Sequence, residues 1–379
     1  MSSTSQTEDG VQQCGNNSDS KGVAIEGELT RHPTLWFHDG SVVLRAQQTL
    51  FKVHISQLSR HSIFFRDMFS LPQPDPSNST GSEPTYDGCL LLHLDDSAED
   101  LAHLLNAVYD GPLFHDNDRK EFPMISGILR LSTKYFIDKL RRKTLEHLSL
   151  SWPSSLKGWD AREDKARIYE METGIPKAFL YPSPIAVINL ARENDAPSLL
   201  PAAFYDLSRY HYAQIFEPGE DDPLYPYSPH TSLSASDFAQ LSLGKESATN
   251  FITSLIQSMG HPPANNMSSN HYPPSTMVTH RRNHSSKGKG EICISAAACR
   301  KDFTELVDLA TQHYLFDREI GCTDPLYVAE ELGQLKSAEF SECKACAKSL
   351  ERWACRERER MWKLIPSWFR LDQPSKLGS

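Results

Sequence analysis

The chain has 379 residues, with 39 Lys and Arg against 49 Asp and Glu, a net charge of -10 and 39% hydrophobic residues. That acidic balance disfavours broad nucleic-acid affinity, which needs basic side chains to displace counterions. No stretch reaches the roughly 18–20 uninterrupted apolar residues of a membrane span, and residues 1–30 lack the apolar core of a secretory signal. The expected setting is therefore intracellular, cytoplasmic or nuclear, where the 8 cysteines should be thiols.

Residues 1–30 are polar and read as a disordered amino-terminus. Order is expected from Leu35-Trp36-Phe37. Asp39-Gly40 supplies a turn before a strand at Val42–Ala46, and alternation through Leu50, Lys52 and Val53 predicts a half-buried hairpin partner. Ser62 is placed to cap a short helix with Phe65, Met68 and Phe69 on one face. Pro72–Gly88 has loop composition, and Cys89–Leu94 follows as a buried strand. Ser97 with Asp100 has capping-box spacing, ahead of a stripe of Leu101, Leu104, Leu105, Val108 and Tyr109 that Gly111-Pro112 ends. A second helix carries Ile125, Ile128, Leu129, Ser132 and Phe136, and a third runs to about Leu150 with Arg141-Arg142-Lys143 on a solvated face. The order of elements is that of an α+β domain over 31–150.

A helical extension is expected over 151–259, with pairs at Ile185–Ala191 and Leu199–Tyr210, then Ser236–Leu243 and Ala248–Met259. Residues 260–290, rich in Pro, Asn, Ser, His and Lys, read as a flexible linker. A helical carboxy-terminal region over 291–379 follows, with helices at Ala296–Phe316 and Ser337–Lys363.

No phosphate loop, dinucleotide glycine fingerprint, Gly-x-Ser-x-Gly elbow or zinc-protease motif occurs. His54 ends a strand with no indicated nucleophile beside it, and reads as structural. Cys343-Lys344-Ala345-Cys346 has half the spacing of a zinc site. Cys322 and Cys355 complete four candidate sulfurs, with Cys293 or Cys299 as substitutes. The competing reading, core packing on a stripe of Phe340, Cys343, Ala347, Leu350 and Ala354, is favoured by the incomplete ligand pattern. The basic run at His280–His284 reads as a solvated linker more than a localisation signal. Arg356 to Arg360 reads as an exposed face with internal ion pairs.

Phe51-Lys52-Val53-His54, Leu58, the Phe64–Phe69 run and Ala107-Val108-Tyr109-Asp110-Gly111 together resemble a BTB/POZ domain. Trp36-Phe37-His38-Asp39-Gly40 and Met68–Pro74 are similar to the BTB proteins of mushroom-forming fungi, whose helical extension resembles Leu199–Tyr205 and Trp362–Pro366. The resemblance implies a BTB/POZ fold followed by a mainly α-helical extension. It also implies a non-enzymatic protein-interaction function without a cofactor, acting by self-association or partner binding, with contacts at Trp36, Phe37 and Leu58. The chain departs from the family pattern at Ser41 and Ile55. Phe69-Ser70-Leu71-Pro72 lacks the acid that cullin-binding members carry. A cullin ubiquitin-ligase adaptor is therefore the first alternative and a transcription regulator the second. Homo-oligomerisation is expected; direct nucleic-acid or membrane binding is not.

Overall fold

The computed structural model describes residues 28–71, 84–116, 118–224, 232–260, 293, 295–316, 323–334 and 343–372. Of the expected linker over 260–290 only residue 260, the last of a helix, is described; 261–290, most of the amino-terminal segment, Phe340 and Cys322 lie outside the described residues. The described residues form two compact units. Those within Met1–His54 and Asp75–Ala98 make the first, and those within Ile55–Pro74 and Glu99–Ser379 the second.

The first unit is a five-stranded sheet in the order β1-β3-β2-β5-β4. Its strands are β1 (Thr30–Trp36), β2 (Val42–Ala46), β3 (Thr49–Val53), β4 (Thr85–Tyr86) and β5 (Cys89–Leu94). The expected hairpin is present: Val42 faces Val53 and Ala46 faces Thr49 in antiparallel register, with Gln47 at φ 53° in the turn. β1 runs parallel to β3, and β5 parallel to β2. The hairpin is more buried than alternation predicts. Lys52 is only 7% exposed, because its amine meets the Asp87 carboxylate at 2.8 Å and so enters the fold paired. Asp87 and Gly88 turn β4 into β5 with φ of 52° and 75°, the left-handed pair that an Asp-Gly hairpin supplies. The end of the stretch read as loop is therefore a strand and its turn.

The second unit is helical. It begins with α1 (Ile55–His61), α2 (Ile63–Ser70), α3 (Ala98–Tyr109, but for its first residue), α4 (Phe122–Lys134) and α5 (Asp138–Ser151). α6 (Leu156–Thr173), α7 (Pro184–Glu193), α8 (Leu200–Ser208), α9 (Tyr212–Phe216) and α10 (Ala235–Gly260) follow. α11 (Ala296–Thr311), α12 (Pro325–Gln334) and α13 (Lys344–Trp368) complete it. Ser62 caps α2 as its position indicates: its hydroxyl accepts from the Phe65 amide at 3.1 Å and donates to the Tyr135 carbonyl at 2.6 Å.

Four expectations differ from the fold. Phe136 lies beyond the end of α4 at φ 52° and is exposed, while Tyr135 takes the buried position. Arg141 is not simply solvated; its guanidinium donates to the carbonyls of Asn194 and Asp195 at 2.8 and 3.0 Å, just past α7. Ser236–Leu243 and Ala248–Met259 are one helix, α10. Gly244, between the two expected segments, is where α10 meets Phe369: a Cβ there would lie 1.9 Å from the ring. Arg358 points inward, pairing with Asp160 at 2.5 Å and Glu330 at 3.3 Å.

Candidate functional site

Four places among the described residues gather chemistry or apolar surface. In the sheet unit, Trp36 is half-buried under the Arg31 guanidinium, 4.5 Å from the ring centroid, with Tyr86 edge-on at 6.1 Å. Phe37 tilts against His54 at 5.1 Å, and His54 Nε2 lies 3.2 Å from Asp39. This His–Asp contact lowers the Asp39 carboxyl, after the larger effect of a hydrogen bond from its own backbone. The Lys52 partner likewise lowers Asp87.

In the helical unit, Leu58 is a core position at 3% exposure. Nearby chain presents the apolar surface that Leu58 does not: Ile63, Phe64 and Phe136 are 43%, 40% and 57% exposed. They are neighbours in space. The Ile63 amide donates to the Phe136 carbonyl at 3.5 Å, and Phe64 tilts against Tyr135 at 5.4 Å. Phe136 is a bulky side chain on a left-handed backbone, an arrangement that costs about 1–3 kcal/mol and tends to mark functional sites.

A cavity of about 990 Å³ in the helical unit is lined by α6, α8 and α12 residues together with Arg358. Its wall is a charge network. Arg162 donates to Asp206 and Glu163, each at 2.6 Å, and its guanidinium sits 4.4–4.9 Å from the rings of Tyr181, Trp159 and Trp152. Arg209 pairs with Asp206, with Glu163 at 3.0 Å and with Asp324 at 3.2 Å. Tyr205 donates to Asp324 at 2.6 Å. Burial would raise the Glu163 carboxyl, but Arg209 and Arg162 outweigh it and bring the pKa down to about 2. Burial also opposes the charge on Arg209, and its three carboxylates overcome that to raise its pKa. Each of the two arginines is engaged by carboxylates, so this network reads as a structural clamp. Sequence periodicity missed it because α6 places Arg162 and Glu163 where a core helix usually has apolar groups, between Trp159 and Ala166.

The fourth place is a group of four thiols. Cys293, Cys299, Cys343 and Cys346 hold their sulfurs within 4.8 Å of one another. The Cys293 Sγ is 3.6 Å from that of Cys299 and 3.8 Å from that of Cys346. Cys299, Cys343 and Cys346 are buried and Cys293 is half-buried. Burial foremost, and then the neighbouring sulfurs, raise the Cys346 thiol. Cys343 occupies the N-cap position of α13 and Cys346 lies in its first turn, as Cys299 does in α11. The fold thus joins Cys343 and Cys346 to the two substitutes, Cys293 and Cys299. Cys355 is exposed and nine positions further along α13, roughly 13 Å at 1.5 Å per residue, out of reach of the other sulfurs.

The five strands make one small mixed sheet, with α1 and α2 standing in sequence between β3 and β4 and the remaining helices following β5. Residues 37–151 match the family model for the BTB/POZ domain. The fold is accordingly a BTB/POZ domain followed by a mainly helical region, and BTB/POZ domains are protein–protein interaction modules. No curated protein matches the chain. Among the described residues, no helix is long and apolar enough to cross a membrane.

Proposed function

We propose that this protein is a non-enzymatic interaction component that self-associates through its BTB/POZ domain and offers its helical region as a second binding surface. The observation that carries the reading is the family match over residues 37–151. The exposed Ile63, Phe64 and Phe136 support it as apolar surface beside Leu58, and Trp36 and Phe37 give the sheet unit aromatic contacts. Likeness to the fungal BTB proteins belongs to the same reading, carried by the Trp36–Gly40 motif. Burial of such surface between two copies drives association, with specific interfaces covering roughly 1,200–2,000 Å².

Light scattering coupled to gel filtration tests this. The expected mass at about tens of micromolar is twice the 42.7 kDa of the chain. A monomer at that concentration overturns self-association. Capture of a cullin scaffold by the purified chain would recast the second surface as that of a ligase adaptor.

A further inference from the structure

We propose that Cys293, Cys299, Cys343 and Cys346 form a structural tetrathiolate zinc site that fastens the start of α11 to the start of α13. A tetrahedral zinc with bonds to sulfur of about 2.3 Å has its sulfurs about 3.8 Å apart. The separations of 3.6 and 3.8 Å meet that figure, and all four sulfurs fall within 4.8 Å. A disulfide holds its sulfurs at about 2.0 Å, far closer than these. Small core residues also cluster, but packing alone gives no reason for four sulfurs from two distant chain segments to converge on one point. Cys293 and Cys346 are 53 positions apart in sequence.

The chain around the sulfurs suits the charge of the centre. Zinc with four thiolates carries a net charge of about −2. Both pairs of ligands stand at the beginning of a helix, where unsatisfied amides and the helix dipole favour negative charge. Cys343 is the N-cap of α13, Cys346 is in its first turn, Cys299 is in the first turn of α11, and Cys293 precedes Ser295, the N-cap of α11. On binding, the four sulfur–hydrogen bonds break, four sulfur–zinc bonds form, and the protons leave to solvent; no electrons are transferred. With four protein ligands the ion has no open position, so the site holds structure and takes no substrate. One pair has the usual Cys-x-x-Cys spacing and the other is Cys-x5-Cys, wider than most zinc sites. That width hid the second pair in the sequence.

The test uses the full chain purified without chelators, with metal content measured by inductively coupled plasma mass spectrometry. One zinc per chain is expected, released by a mercurial thiol reagent. Cobalt added to metal-stripped protein should give the intense visible bands of a tetrahedral cobalt thiolate. Cys346→Ser should lose the metal, whereas Cys355→Ser, at an exposed position outside the cluster, should keep it. Should Cys346→Ser fail to fold, the zinc content and cobalt spectrum of the unaltered chain still decide. Unaltered protein without zinc and without the cobalt bands overturns the proposal. So does a Cys293–Cys299 disulfide found by mass spectrometry after alkylation without reduction, or zinc retained at full stoichiometry by a folded Cys346→Ser.

Discussion

Gly244→Ala should destabilise the helical unit, although in an ordinary exposed helix the change would stabilise by about 1 kcal/mol. The added Cβ would stand 1.9 and 2.0 Å from two ring carbons of Phe369, where carbon atoms normally meet at about 3.5–4.0 Å. The ring would have to retreat by roughly 1.5–2 Å. It has little room to do so, being fully buried and stacked on Phe204 at 5.3 Å. Overpacking of this kind costs about 1–3 kcal/mol and sometimes more. A contact this close puts the cost at the upper end, about 3 kcal/mol, so against the helical gain the expected net loss is about 2 kcal/mol. Urea unfolding followed by tryptophan fluorescence reads it as a lower midpoint at unchanged slope. Phe369→Leu in the same chain should relieve the clash, giving a coupling energy of about 1–2 kcal/mol in the double-mutant cycle. A Gly244→Ala protein as stable as the parent, or strict additivity in the cycle, would refute the close approach of α10 to Phe369.

Glu163 links stability to acid: its carboxyl titrates near 4.5 unfolded and about 2 folded, a difference equivalent to about 3 kcal/mol. That stability is fully present above pH 4.5 and is lost as pH falls towards 2, so Glu163→Gln should flatten the acid limb of a stability–pH profile. Parallel profiles for the two proteins would show that the clamp does not hold Glu163 ionised. Ser62→Ala removes the α2 cap and the bond to the Tyr135 carbonyl, and should cost about 1–3 kcal/mol in a thermal or urea melt; a change near zero would count against both bonds. Phe136→Asn suits the left-handed backbone, so the melt should hold or improve while light scattering shows weaker self-association. An unchanged dimer would remove Phe136 from the interface.

The hairpin, the Ser62 cap and the stripe of α3 could be read in the sequence because each is local: period, cap and turn lie within a few residues of one another. Gly244 could not be read correctly, since its meaning depends on a ring more than a hundred residues away. The clamp was hidden for a different reason. Arg162, Glu163 and Asp206 are charged groups in a core, and only their mutual pairing makes that burial tolerable. The thiol group was half visible. Cys343 and Cys346 announce themselves by spacing, but which sulfurs join them is decided by how α11 meets α13, and Cys355 sits on the same helix as a plausible but unreachable alternative.

The reach of α13 back to α6 has a consequence for how the chain is made. Arg358 bonds to Asp160 and the Trp362 indole to the Ser154 carbonyl, 198 and 208 positions apart. At about 5–20 residues per second, a ribosome takes about 10–40 s between delivering one side of these contacts and the other. Throughout that interval the Trp159 ring waits for Trp362, which will lie 5.6 Å from it in the finished protein. The nascent chain thus carries an unfinished aromatic surface for many seconds, and its need for chaperones should be greatest before α13 has left the ribosome.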